Sequence, residues 1–145
     1  MKKRILSVAA VLAFGLLATN QCSAQQRVLA VDVPFSFDAG GKVLPAGEYR
    51  VYRISTGTDA AQMIREADAK LSTIVLTDTV ERTGNAPSPR LVFHVYGNEY
   101  FLAEIWNGES EGRELPKTAR EKELATASTK MVEFAVLADV PSVRP

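Results

Sequence analysis

The sequence predicts an all-β domain: an antiparallel sandwich or a partly closed barrel of about seven or eight strands, with one short helix before the last strand. Three observations predict it. Segments rich in β-branched and aromatic residues recur from Leu29 to Ala138, separated by Gly, Pro and Asn turns. Arg90 to Trp106, RLVFHVYGNEYFLAEIW, reads as two strands joined by Gly97-Asn98, a strong two-residue hairpin signal. Only one later stretch, between about Pro116 and Ser128, carries the signals of a helix.

Ahead of the first strand stands an export leader. MKKR is a basic start, Ile5 to Ala18 is apolar, and Cys22-Ser23-Ala24 presents small residues where a signal peptidase reads them. Cleavage is expected after Ala24, leaving residues 25–145 as a single β-rich domain in the periplasm or the medium. The apolar run is too short to span a membrane comfortably, which takes about 20 residues, and no later stretch approaches that length. Thr19-Asn20-Gln21 before Cys22 speaks against lipid attachment, so plain secretion is expected. Cys22 is the only cysteine and leaves with the leader, so stability must come from packing rather than from a disulfide. Removing Lys2, Lys3 and Arg4 from 17 basic residues leaves 14 against 17 acidic ones, a net charge of −3. That balance argues against a nucleic-acid partner, which calls for a basic excess on one face.

The elements follow in order. Leu29, Val31, Val33, Phe35 and Phe37 alternate with Ala30, Asp32, Pro34 and Ser36, the period of a strand with one buried face. Pro34 cannot donate to a ladder, which places this strand at an edge or a bulge. Asp38 to Gly41 is a turn, and Leu44-Pro45-Ala46-Gly47 fits a type I turn with Pro second and Gly fourth. Glu48 to Ile54 is a strand with Tyr49 and Val51 on one side. Gln62 to Glu66 and Leu71 to Thr77 form a second hairpin around Ala67-Asp68-Ala69-Lys70. Thr79 to Pro89 is expected to be a long surface loop, and Asn107 to Glu114 an exposed, flexible acidic one. Thr118 and Glu121 form a T-x-x-E capping box for the helix, whose thin apolar stripe of Leu115, Leu124 and Ala127 predicts a place on the rim. Met131 to Ala138 is a last strand able to return to the sheet.

In the central hairpin, Tyr96 faces Glu99. The unbroken register then puts Leu91, Phe93, Val95, Tyr100 and Leu102 on one side, and Val92, His94, Phe101, Ala103 and Ile105 on the other. Both sides are mostly apolar, so the pair is expected inside a sheet and covered on both faces. Strands of six or seven residues fall short of the roughly 9–11 that cross an outer membrane, which argues against a transmembrane barrel.

Little in the chain points to catalysis. Gly108-Glu109-Ser110-Glu111-Gly112 matches the G-x-S-x-G nucleophile elbow, but no histidine follows it, no parallel α/β context surrounds it, and two carboxylates would oppose an oxyanion. His94, the only histidine, is expected opposite Phe101 as a packed or half-exposed strand residue. One histidine and no cysteine in the mature chain exclude an ordinary zinc site, and no D-x-D-x-D-G run marks calcium. No catalytic residue, metal ligand or cofactor is therefore assigned. Glu104 is the carboxylate of most interest, because the unbroken register sets it beside Leu91, Phe93 and Leu102, where a charge needs a basic partner such as Arg113 or Arg120, or a ligand cavity. If the sheet closed as a barrel, aromatics could line a pocket for an apolar molecule. Glu104, His94, Tyr100 and Trp106 are the candidate ligand-binding residues.

Four segments carry a resemblance: V-P-F-x-F at Val33 to Phe37, L-P-A-G-E-Y at Leu44 to Tyr49, L-V-F-H-x-Y-G at Leu91 to Gly97, and E-G-R-E-L-P-K at Glu111 to Lys117. Together they make the chain similar, over most of its mature length, to a group of uncharacterised secreted proteins of soil bacteria. The group has no assigned activity, so the resemblance implies an exported, β-rich protein and nothing finer. Three functions are then in competition. The first is a non-enzymatic exported domain acting through its surface on a partner in the cell envelope or outside the cell. The second is a small barrel binding an apolar small molecule. The third is a hydrolase using carboxylates such as Glu99, Glu104 or Asp78, which requires two acids converging in one cleft.

Overall fold

The structure is a computed structural model that describes residues 27–54, 60–127 and 130–141. The leader and its cleavage site at Ala24 lie outside the described residues. In chain order the elements are β1 (Val28–Val33), β2 (Phe37–Ala39), β3 (Lys42–Leu44), β4 (Gly47–Arg53), β5 (Ala61–Glu66), β6 (Ser72–Leu76), β7 (Asp78–Glu81), β8 (Arg90–Tyr96), β9 (Glu99–Trp106), β10 (Glu111–Glu114), α1 (Ala119–Thr126) and β11 (Met131–Leu137). A smaller sheet runs β1-β4-β5-β6 and a larger one β11-β8-β9-β10-β7, with the β2–β3 hairpin attached to β9 through a parallel bridge between Asp38 and Phe101. The two sheets face each other as a sandwich.

Alternation builds the core as the sequence predicts. Leu29, Val31 and Val33 of β1, Tyr49 and Val51 of β4, and Ile64 of β5 pack against Leu91, Phe93, Leu102 and Ile105 of the larger sheet. Burying these apolar faces against each other is the main stabilising term of such a fold. Phe35 and Phe37 reach across: Phe37 meets Tyr49 and Phe93 edge-on, with ring centroids 5.3 Å away in both cases.

The sheets do not close into a barrel. The chain turns the corner from β6 to β7 at Thr77, whose amide and hydroxyl both donate to the Ala60 carbonyl, so strand pairing stops there. On the other side, among the described residues, β1 and the segment after β11 exchange one pair of hydrogen bonds, Ala30 with Asp139, each 2.8 Å. Of the two architectures the sequence allows, the sandwich is the one that forms.

The central hairpin is interior, as expected, with β11 beyond β8 and β10 beyond β9. Gly97 has φ +64° and Asn98 does not share a positive φ, the pattern of a type II′ turn with glycine first. From Tyr96↔Glu99 the pairing runs regularly to Phe93↔Leu102 and then slips to Val92↔Glu104, leaving Ala103 as the extra residue of a β-bulge.

Two stretches expected as loops contain strands. Asp78–Glu81 pairs with Glu111–Glu114, and Arg113 and Glu114 pair in turn with Ile105 and Glu104. Polar, glycine-containing sequence forms a ladder here because the partner strands supply the hydrogen bonds. β3 is likewise a strand the sequence reading passed over, formed by hairpin closure at Gly40 and Gly41, both with positive φ. The helix begins after Thr118, whose Oγ1 accepts from the Glu121 amide at 3.2 Å.

Candidate functional site

The bulge decides which side chains reach the outer face of the larger sheet. By adding one residue it turns Ile105 into the core and Glu104 out, the reverse of the unbroken alternation. On the outer face Glu104 sits beside Trp106, two residues on, and its Oε2 accepts from Trp106 Nε1 at 2.6 Å. Its basic partner is Arg82, from the loop after β7, rather than Arg113 or Arg120: Arg82 Nη2 donates to the same oxygen at 3.1 Å. The guanidinium also stands 5.3 Å from the indole centroid, a cation–π contact that completes a three-residue cluster. Trp106 is wholly buried. Gly112 on the neighbouring strand makes room for it, since a Cβ there would stand only 2.7–2.8 Å from three indole atoms.

Nearer the hairpin turn the same face carries a second polar group. His94 stands opposite Phe101, as the sequence predicts, and its Nδ1 is 2.7 Å from Oε1 of Glu121. Tyr96 donates its hydroxyl to that oxygen at 3.4 Å. Glu121 is 3% exposed, so the capping-box glutamate points its carboxylate into the sheet and pins α1 there. A surface pair adds a clamp: Arg120 donates to both carboxylate oxygens of Glu99 on β9, at 2.6 and 3.0 Å. Those hydrogen bonds, more than the charge alone, hold the Glu99 carboxyl below its usual range and the Arg120 guanidinium above its own.

Tyr100 lies on the opposite, inner face, stacked on Phe35 with centroids 3.9 Å apart. The four candidate ligand-binding residues therefore divide between two faces of one sheet. Glu104 and Trp106 are brought together, His94 shares their face but belongs to the helix contact, and Tyr100 belongs to the core. Of the three carboxylates considered for hydrolysis, Glu99 and Glu104 are each held by an arginine. Asp78 and Glu104 are separated by a whole strand, with Glu114 between them. Ser110 of the G-x-S-x-G match lies in an exposed turn that leads into β10 rather than into a helix. Among the described residues no cluster of three His, Cys, Asp or Glu side chains could hold a metal ion. An open depression of about 440 Å³ lies between the Gly40-Gly41 turn, β6 and residues 115–119, and no carboxylate lines it.

Among the described strands β11 carries the most exposed large apolar side chains, four against the two of the edge strand β6, Ile74 and Leu76. It pairs with β8 on one side only, and among the described residues its other edge meets a strand just once, beyond its end, where Asp139 bonds Ala30. Its side chains alternate between the two faces of the sheet, yet both sets are exposed: Met131 39% and Leu137 72% on the outer face, Val132 52% and Phe134 47% on the inner. Phe134 touches Phe35 at 5.7 Å and is otherwise half open. A long apolar edge with unpaired backbone groups is a template for another strand. Sequence reading found the strand but not its exposure, which depends on how far the smaller sheet extends over it. Arg82 and Gly112 were missed for a similar reason, because each acquires its role from Trp106 across a ladder.

No family model, curated protein or solved structure matches the chain.

Proposed function

We propose that this chain is an exported, non-enzymatic β-sandwich that works through its surface in the cell envelope or outside the cell, and that β11 is the working edge. The single observation carrying the reading is the seven-residue edge strand with four exposed large apolar side chains and an open row of backbone groups. Strand addition at such an edge joins two chains by main-chain hydrogen bonds, with alternate side chains setting specificity. Export is supported by the basic and apolar start of the chain and the small residues ending at Ala24. It is further supported by the resemblance to secreted β-rich proteins. The apolar-ligand alternative loses its enclosure once the sheets do not close. The hydrolase alternative loses its cleft once Glu99 and Glu104 are each engaged elsewhere.

Two measurements test the reading. Expressed with its own leader in a Gram-negative host, the chain is expected in the periplasm or medium with the mass of residues 25–145; an uncleaved cytoplasmic product refutes export. In the recovered envelope or secreted fraction, amide exchange at residues 131, 133, 135 and 137, whose N–H groups face away from β8, is expected to be slow, because the edge is occupied. Rapid exchange there, equal to that of an exposed loop, refutes the edge as a working surface.

A further inference from the structure

We propose that the occupant of this edge is a second copy of the chain, its β11 running antiparallel to the first and centred on Phe134. The inference rests on the reading of β11 as the working edge and adds the identity and register of what covers it. In an antiparallel ladder each residue directs both its N–H and its C=O to the same neighbouring strand, and successive residues alternate. Ala138 donates to Pro89 on the β8 side at 2.9 Å, whereas Asp139 exchanges its bonds with Ala30 on the open side. Met131, Glu133, Ala135 and Leu137 therefore present their backbone groups to the open edge.

Two-fold pairing must bring those odd-numbered residues opposite one another, which leaves few registers. Centring on Glu133 sets two carboxylates directly opposite, a destabilising arrangement. Centring on Ala135 brings Met131 opposite Asp139, whose edge groups are already bonded to Ala30. Centring on Phe134 avoids both. Phe134 then faces its own copy, Val132 faces Val136, Met131 faces Leu137, and the strand's one charge, Glu133, faces Ala135. The two carboxylates become diagonal neighbours about 7–8 Å apart instead of opposed ones. In this register all seven residues of the run M-V-E-F-A-V-L are paired, and the pairing ends where the Ala30 bridge begins.

The test uses the full chain with Cys22→Ser, so that an introduced thiol is unique whether or not the leader has been removed. In the Phe134-centred register residue 134 forms a non-hydrogen-bonded pair with Cα atoms about 4.5 Å apart, inside the roughly 4.4–6.8 Å that a disulfide accepts. Val132 lies four residues from its own copy, about 13 Å along the strand. Under mild oxidation Phe134→Cys is expected to give a covalent dimer at least tenfold faster than Val132→Cys. The Cys22→Ser chain with Phe134 intact is expected to sediment as a dimer that dissociates on dilution. A chain that remains monomeric at millimolar concentration, or equal cross-linking by the two thiols, overturns the proposal. If the purified chain is monomeric while residues 131, 133, 135 and 137 exchange slowly in the envelope fraction, a different chain occupies the edge: the second copy is refuted and the working edge stands. Rapid exchange in both settings refutes both.

Discussion

Gly112→Ala tests the outer face at its tightest point. Gly112 does not use a positive φ, so the backbone accepts alanine, and by itself the change would stabilise the chain by about 0.4–1 kcal/mol through the unfolded state. Against that stands the indole. The new methyl would lie 2.7 Å from Cδ2 and 2.8 Å from Cε2 and Cε3 of Trp106, inside the distance that real Cβ atoms keep. These atoms are the rigid middle of the ring, not the end of a flexible chain. The ring is also held in place, with Nε1 on Glu104 and Arg82 beside it. Overpacking of this kind costs about 1–3 kcal/mol. The steric term therefore wins, leaving a net loss of about 1–2 kcal/mol.

For a domain of about 120 residues, unfolding entropy near 2.1 cal/mol/K per residue converts that loss to a fall in Tm of about 4–8 °C. Thermal melting followed by circular dichroism measures it. Trp106 is the only tryptophan, so its emission reports the same site and is expected to move to longer wavelength as the ring is displaced. In a Trp106→Leu background the alanine penalty should vanish, giving a coupling of about 1–2 kcal/mol between the two positions. A Gly112→Ala chain with unchanged or raised Tm and unchanged emission would refute the seating of Trp106 against β10, and with it the register of β10 on β9.

Three further outcomes are expected. Glu121→Ala leaves the His94 imidazole and the Tyr96 hydroxyl without their buried acceptor, costs about 1–3 kcal/mol, and speeds amide exchange in α1 before global unfolding. Glu99 holds its proton less tightly in the folded chain than in the unfolded one, so its pairing with Arg120 stabilises fully above about pH 4.5 and fades as pH falls through the depressed folded value. Urea midpoints measured across that window should converge for the native chain and Arg120→Gln. Burial first, then the carboxylates of Glu66 and Asp68, push the Tyr49 phenol above its usual value near 10. The folded state therefore keeps that proton longer than the unfolded state, and stability should fall as pH rises above about 10. Tyr49→Phe, which also loses the 2.6 Å hydrogen bond to the Pro45 carbonyl, should flatten that alkaline decline.

Local patterning made much of the fold legible. The Gly97-Asn98 turn, the alternation of β4, the hairpin around residues 67–70 and the Thr118 cap are each set by residues within one or two turns of chain and form as read, whereas the alternation from Leu29 to Phe37 is split, β1 ending at Val33 before Pro34 and Phe37 opening β2. What escaped depends on residues far apart in sequence. β10 has little β-forming character of its own and becomes a strand because β7, some thirty residues earlier, and β9 offer it ladders. The bulge at Ala103 leaves no mark in the apolar pattern, since Phe101, Leu102, Ala103 and Ile105 suit either side. That ambiguity moved Glu104 to the wrong face and hid its contact with Arg82. His94 stands opposite Phe101 as the alternation predicts, but nothing local in the sequence distinguishes its partner Glu121 from an ordinary capping-box acid.

The two faces of the larger sheet show why its last strand stays open. On the inner face β1 crosses above β8 and the end of β11, so Val136 and Ala138 are drawn into the core, while Phe134 is half covered and Val132 is bare. On the outer face α1 anchors through Glu121 to β8, and through Arg120 to β9, stopping one strand short of β11. The outer cover thus ends at β8 and the inner one reaches only the end of β11, yet β11 keeps an apolar side chain at every position but Glu133. An edge strand that faced only water would tolerate charge at Val132 and Leu137 without loss of stability, and charge there is the usual guard against unwanted pairing. This strand has the composition of a buried one in an exposed place, the mismatch that the proposed pairing of its open edge with a second strand would relieve.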